Sequence, residues 1–241
     1  MATCLSYAKI AYAAYFTSTN QYYVDPPGHM VDDWRVQKWE KGTLFGNGFQ
    51  GGIWQGPHDV VVGCCGTNPG QLGKLVQDAI ADVKIVLKLI PNQAHAAARM
   101  VQAAKSMAQG RRVAVTGHSL GGALAQMAGL WERVPFVTFN APAMRLAAQV
   151  AKLNVNHPEA MVNTWKGSRV SDTPGINFRI GGDMVSMHVL GDGHIGTVVD
   201  LTNKYQKRPD GSGHLGAHGK DTCWQAILET DWAGIDPFEA M

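Results

Sequence analysis

The sequence predicts an α/β fold, with a mostly parallel central sheet, helices on both faces and an antiparallel N-terminal edge. Three observations carry this. The run DVVVGCC at 59–65 is continuously apolar, the pattern of a strand buried on both faces. Strand-like and helix-like segments alternate from there to about residue 180, and such alternation builds parallel strands joined by crossover helices. The runs at 34–39, 48–54 and 59–65 are short and turn-linked, which suggests antiparallel strands leading into the main sheet.

Taken in order, the first element is a helix over 3–16, with tyrosines at 7, 12 and 15. Strands follow at 34–39 and 48–54. Gln55, Gly56, Pro57 and His58 then supply turn chemistry before the strand at 59–65. Leu75, Ile80, Val83, Val86, Leu87 and Ile90 recur at helical spacing over 71–90, and Pro91 is expected to stop that pattern. A second helix is expected over 94–109, ended by Gly110. A strand at 112–116 leads through a glycine turn into a helix to about Trp131, and PFVTFN at 135–140 is another strand. A helix at 144–153 and strands at 161–165 and 177–180 complete the pattern.

The 241 residues suit a single domain over 1–241, long enough to bury a sizeable core without staples. Hydrophobic residues are 45% and charged residues 17%, a globular rather than a disordered balance. A formal charge of +2 with no basic run argues against a nucleic-acid partner. The four cysteines, Cys4, Cys64, Cys65 and Cys223, lack CxxC spacing, so no metal is expected, and no cofactor. Cys64 and Cys65 read as buried thiols, while a Cys4–Cys223 bridge stays open. No segment reaches the apolar length of a membrane span. The N-terminus has no basic n-region, so the expected location is cytoplasmic or exported without a cleaved signal. A secreted chain already trimmed of its signal would read the same.

Gly117-His118-Ser119-Leu120-Gly121 fits G-x-S-x-G, with a strand before it and a helix after it. A sharp turn there lifts the serine hydroxyl clear of the backbone, and larger side chains two positions away would collide. The N-terminus of the following helix favours negative charge on an attacked carbonyl. Ser119 is thus the candidate nucleophile. It needs a histidine to take its proton and an acid to orient that histidine, both expected later in the chain. The backbone N–H of Leu120 is one candidate oxyanion donor. Thr67, after the buried strand and Gly66, is the other. His118 is expected to point away across the turn, as a pocket or core residue.

At this point the chain resembles the class 3 lipases, the α/β-hydrolase family of the fungal triacylglycerol lipases. VVVGCCGT resembles the family's strand and oxyanion turn, and Asp78 with Asp82 the acidic pair after it. VTGHSLGGALA resembles the serine segment, VTFNAPAM the next strand, and INFRIGGDMVSMH the strand and loop bearing the catalytic aspartate. The chain departs from the family where Cys64-Cys65 replaces an arginine before the oxyanion turn, and where Met184-Val185 replaces Pro-Val after the aspartate. The resemblance implies the α/β-hydrolase fold and Asp183 as the acid. Asp183 also follows a predicted strand and the Gly181-Gly182 bend; Asp192 and Asp200 are weaker competitors. Four histidines follow it: His188, His194, His214 and His218. GAHGKDTCWQAIL resembles the segment with the catalytic histidine before a C-terminal helix, so His218 is the first choice as base. His194 and His214 are the alternatives. GHIGTVV, around His194, resembles a segment in which a histidine precedes a strand.

The resemblance implies hydrolysis of a lipid carboxylic ester, by a triacylglycerol lipase or esterase, through an acyl-serine intermediate. A phospholipase of the A type, including one exported as an antibacterial effector, is the alternative. A feruloyl-type or short-chain esterase, a peptidase or thioesterase, and a non-catalytic binding protein on the same fold stay open too. The expected partner is a lipid or small ester, with transient contact at a lipid interface; no protein partner can be inferred. The apolar stretch within 68–90 is a candidate lid or an ordinary packed helix. A neutral imidazole base implies activity rising between about pH 6 and pH 8.

Overall fold

The computed structural model describes residues 1–15, 30–40, 48–66, 83–144, 174–187, 193–201, 218 and 220–239. Within them eight strands form one sheet in the order the chain makes them. They are β1 (Met30–Val31), β2 (Trp34–Glu40), β3 (Gly51–Gln55), β4 (Asp59–Cys64), β5 (Arg112–His118), β6 (Phe136–Phe139), β7 (Gly175–Ile180) and β8 (Thr197–Leu201). The pairs from β1 to β4 are antiparallel. Those from β4 to β8 are parallel. The expected antiparallel N-terminal edge and parallel body are both present, and the two-residue β1 extends that edge beyond the expected strands. The helices are α1 (Cys4–Ala13), α2 (Val83–Met107), α3 (Leu120–Glu132), α4 (Met184–Met187) and α5 (Lys220–Leu228), with a 3-10 turn at Asp231–Gly234.

The sequential strand order decides which helix covers which face. Right-handed crossovers between successive parallel strands stay on one side of the sheet. Accordingly α2, between β4 and β5, and α3, between β5 and β6, share one face with Val60, Val62, Val115 and Phe136. The opposite face carries Val61, Ala114, Val137, Phe139, Ile176, Phe178 and Ile180, and the ends of the chain cover it. Tyr7, Ile10 and Ala11 of α1 pack there with Cys223, Ala226 and Ile227 of α5. The neighbours Val60, Val61 and Val62 thus alternate between two cores, which is why the run shows no polar residue. Phe139 and Phe178 stack at 5.7 Å between ring centres, and burying each such ring contributes about 1.5–3 kcal/mol.

Most expected elements match within a few residues. Thr3 caps α1, its hydroxyl accepting from the Ser6 N–H at 3.3 Å. One expectation is corrected: Pro91 does not stop the helix, because α2 runs through it as one element of 25 residues. Proline loses one N–H and crowds the preceding turn, at about 3 kcal/mol, but its φ is helical. A helix held further along by the buried Ala94, Ala97, Met100, Val101 and Ala104 tolerates that loss. Of the candidate lid, 83–90 is the first part of α2, and 68–82 lies outside the described residues. The expected helix at 144–153, beyond Met144, and strand at 161–165 also lie outside them.

All four cysteines are buried and none is in a disulfide, so Cys4 and Cys223 are unbridged. Burial, helped by the nearby Asp236 carboxylate, pushes the Cys4 thiol up to about 12, far from a reactive thiolate. At the start of β5 the Arg112 guanidinium pairs with Asp59 at 2.6 Å and Asp236 at 2.7 Å. Asp59 also accepts from the Ala2 N–H at 2.6 Å. This cluster ties Ala2 and Asp236 to the starts of the interior strands β4 and β5, at the other end of β5 from Ser119.

Candidate active site

β5 ends at His118 and α3 begins at Leu120, so Ser119 alone makes the reversal. Its φ of 57° and ψ of −127° lie where an L-residue is strained, a cost of about 1–3 kcal/mol. The main chain holds it there: Ser119 N–H donates to the Phe139 carbonyl at 3.0 Å, and its own carbonyl accepts from Ala123 N–H at 3.1 Å. Two glycines make the turn possible. A Cβ on Gly117 would run into the Gly121 backbone. One on Gly121 would meet the Cys64 carbonyl, the Cys65 carbonyl carbon at 2.7 Å and the Gly66 nitrogen at 2.8 Å. The start of α3 therefore lies directly against the end of β4 and its following turn.

The serine hydroxyl does not stand alone. Ser119 Oγ is 2.7 Å from His218 Nε2, and His218 Nδ1 is 2.9 Å from Asp183 Oδ1. His218 is 7% exposed and Asp183 fully buried. Asp183 follows β7 and opens α4, and a carboxylate at a helix start meets unpaired N–H groups. The N–H groups of Val185 and Ser186 each donate to it at 3.1 Å. Burial pushes its carboxyl pKa up, but hydrogen bonds from His218, Ser186 and Val185 and the attraction of His218 outweigh this. The net result is a carboxyl below its ordinary value, a stable anion facing the imidazole. An imidazole so placed can take a proton from the serine and hold it as a cation beside the carboxylate.

Leu120 lies where its N–H, the first of α3, has no partner within the helix. Thr67, the other candidate oxyanion donor, lies outside the described residues, as do His188, Asp192 and His214. The described competitors are engaged elsewhere. His194 Nε2 lies 3.1 Å from the Ser186 carbonyl. Asp200 pairs with Arg179 across β7 and β8.

His118 takes a part that the sequence did not suggest. It is buried, its Nδ1 is 2.8 Å from the Tyr15 hydroxyl, and its Nε2 is 2.6 Å from the main-chain carbonyl of His218. The only sequence signal was a second imidazole beside the serine.

A family model described as phospholipase-like, a Tle-like phospholipase domain, matches residues 30–191, which include Ser119 and Asp183 and end before His218. No curated protein matches the sequence. Among solved structures, the chain is similar to Lip2 lipase from Yarrowia lipolytica, at 16% identity and TM-score 0.52, over 82% of this chain and 77% of that one. It is similar also to a triacylglycerol lipase whose catalytic centre is a serine-protease triad, at 15% identity and TM-score 0.54, over 98% and 94%. Lipase II from Rhizopus niveus gives 16% identity and TM-score 0.50, over 98% and 94%. At these identities the likeness establishes the fold, which is the α/β-hydrolase fold of the fungal lipases.

Proposed function

The chain belongs to the family of Tle-like phospholipase domains, and on that footing we propose that it is a serine hydrolase cleaving the acyl esters of phospholipids. The observation that carries the reading is the run of contacts Ser119 Oγ, His218 Nε2, His218 Nδ1, Asp183 Oδ1, at 2.7 and 2.9 Å. In the reaction Ser119 Oγ attacks the ester carbonyl carbon while its proton passes to His218 Nε2. Asp183 fixes the tautomer and faces the imidazolium. The Leu120 N–H, with Thr67, stabilises the oxyanion. Collapse expels the alcohol, which leaves with the proton from His218. Water, deprotonated by His218, then releases the fatty acid from Ser119. Asp183 and Ser119 fall within the family match; the choice of His218 rests on its geometry.

The phospholipid reading is preferred to the triacylglycerol reading because of the family match. Likeness to triacylglycerol lipases at 15% identity supports the fold they share. The test is release of free fatty acid from diacylphospholipid vesicles, a triacylglycerol emulsion and soluble short-chain esters, with Ser119→Ala as control. Phospholipid turnover that vanishes in Ser119→Ala is expected. Turnover retained in that variant, or absent with every ester, would overturn the reading. Faster release from triacylglycerol would favour the lipase reading instead.

A further inference from the structure

We infer that His118 is a positioning residue, which holds the main chain of His218 so that its ring stays between Ser119 and Asp183; this rests on the serine-hydrolase reading above. The geometry is specific. Ser119 meets the His218 ring at 2.7 Å, and the preceding residue, His118, meets the His218 carbonyl at 2.6 Å. Two adjacent residues thus grip the base, one by its ring and one by its backbone. The two imidazole rings lie 5.1 Å apart, centre to centre.

The protons in this arrangement follow from the partners. A carbonyl only accepts, so His118 Nε2 carries the hydrogen and donates it to His218. In the neutral ring Nδ1 then accepts, and the Tyr15 hydroxyl at 2.8 Å supplies the hydrogen. Tyr15 lies farther from the His118 carbonyl, at 3.2 Å, and its single hydrogen goes to the closer acceptor. Tyr15 is fixed in turn, because Gln50 donates to the Ala14 carbonyl at 3.0 Å while the Gln50 carbonyl accepts from Cys65 N–H at 2.9 Å. The series therefore runs from the end of α1, through the end of β5, to the backbone of the base. Both ring nitrogens of His118 are occupied, which leaves it no part in moving the substrate's proton.

The experiment compares His118→Gln with His118→Asn, with His118→Phe as the full removal. A glutamine amide reaches the position of Nε2; an asparagine amide is too short. Both are polar and neutral, and the packing lost with the one methylene that asparagine lacks is read in the thermal midpoints, so kcat is compared per folded molecule. Initial rates on a soluble ester are read as kcat and KM, beside the thermal midpoint of each variant. The expected result is kcat lowered by about 10- to 100-fold in His118→Asn and His118→Phe, since small misplacement of a catalytic group is that costly. KM should stay within about twofold, because the bond acts on the chemical step rather than on substrate binding. His118→Gln should recover at least about fivefold of the kcat lost in His118→Asn, as expected when one hydrogen-bond donor is restored. Equal kcat in the Gln and Asn variants would overturn the inference, even if the Phe variant does not fold. Ser119→Ala separates the two levels. If it is active, the serine reading fails; if it is inactive while the His118 variants keep wild-type kcat, only the positioning role fails.

Discussion

Replacing Asp183 by asparagine keeps the size of the side chain and removes its charge from a fully buried position. In the native protein Oδ1 accepts from His218 at 2.9 Å and from Val185 N–H at 3.1 Å, and Oδ2 accepts from Ser186 N–H at 3.1 Å. Asparagine has one acceptor oxygen. With that oxygen at the Oδ1 site, two bonds survive and the amide faces the Ser186 N–H, leaving buried donors opposed at about 1–3 kcal/mol. His218 keeps its tautomer, and the catalytic loss is that of the charge facing the imidazolium, on the order of 10² in kcat or about 2.7 kcal/mol. With the oxygen at the Oδ2 site, His218 must turn its Nδ1 into an acceptor. It then carries hydrogen on Nε2 and cannot take the serine proton, a loss on the order of 10⁴. Each arrangement makes two bonds and opposes one buried donor, Ser186 N–H in the first and Val185 N–H in the second, so the expected loss lies between about 10² and 10⁴, with kcat and kcat/KM falling together. The assay is initial-rate kinetics on a soluble ester, with near-ultraviolet circular dichroism to establish folding. A folded Asp183→Asn protein within about threefold of wild-type kcat would refute the reasoning, since a lost buried charge at the base is worth far more.

Three further outcomes are expected. The Asp183 carboxyl lies below its ordinary 3.8 in the fold. Its stabilising contribution is therefore complete above that pH and lost as pH falls through the lowered value. The difference in urea midpoint between wild type and Asp183→Asn should shrink from pH 6 to pH 3; a constant difference would contradict the linkage. Gly121→Ala forces a Cβ against the backbone of Cys64, Cys65 and Gly66. It should lower stability by about 1–3 kcal/mol in denaturant melts and reduce kcat by displacing Leu120. Arg112→Ala leaves Asp59 and Asp236 without their cation. It should cost about 3–5 kcal/mol in the same melts, yet leave kcat per folded molecule unchanged, because β5 separates Arg112 from Ser119 by roughly 20 Å.

Much of the fold was legible because its signals are local. The run at 59–65 shows burial on both faces, and the glycines around Ser119 show a turn that tolerates no side chain. Ser119, Asp183 and His218 were singled out through the serine turn, the Gly181-Gly182 bend and the resemblance, and their side chains lie together. What the sequence hid depends on distant contacts. Pro91 looks like a stop to a reading of periodicity, but the helix is held by packing of residues beyond it. The partnership of α1 and α5 over one face follows from sheet order, which no local pattern encodes. His118 was expected to diverge across the turn as a pocket or core residue, and it is buried between the Tyr15 hydroxyl and the His218 main chain. Its contact with the His218 carbonyl joins residues 100 apart, which only the folded chain reveals.

Labelling with a fluorophosphonate probes the nucleophile itself, independently of the choice of lipid. The folded protein is treated with the probe, digested, and each peptide weighed by mass spectrometry, with His218→Ala treated alongside. Ser119 should carry a single phosphonyl adduct in the wild-type protein and none over the same time in His218→Ala. An unlabelled Ser119 in folded protein, or equal labelling without His218, would contradict a serine hydrolase built on these residues.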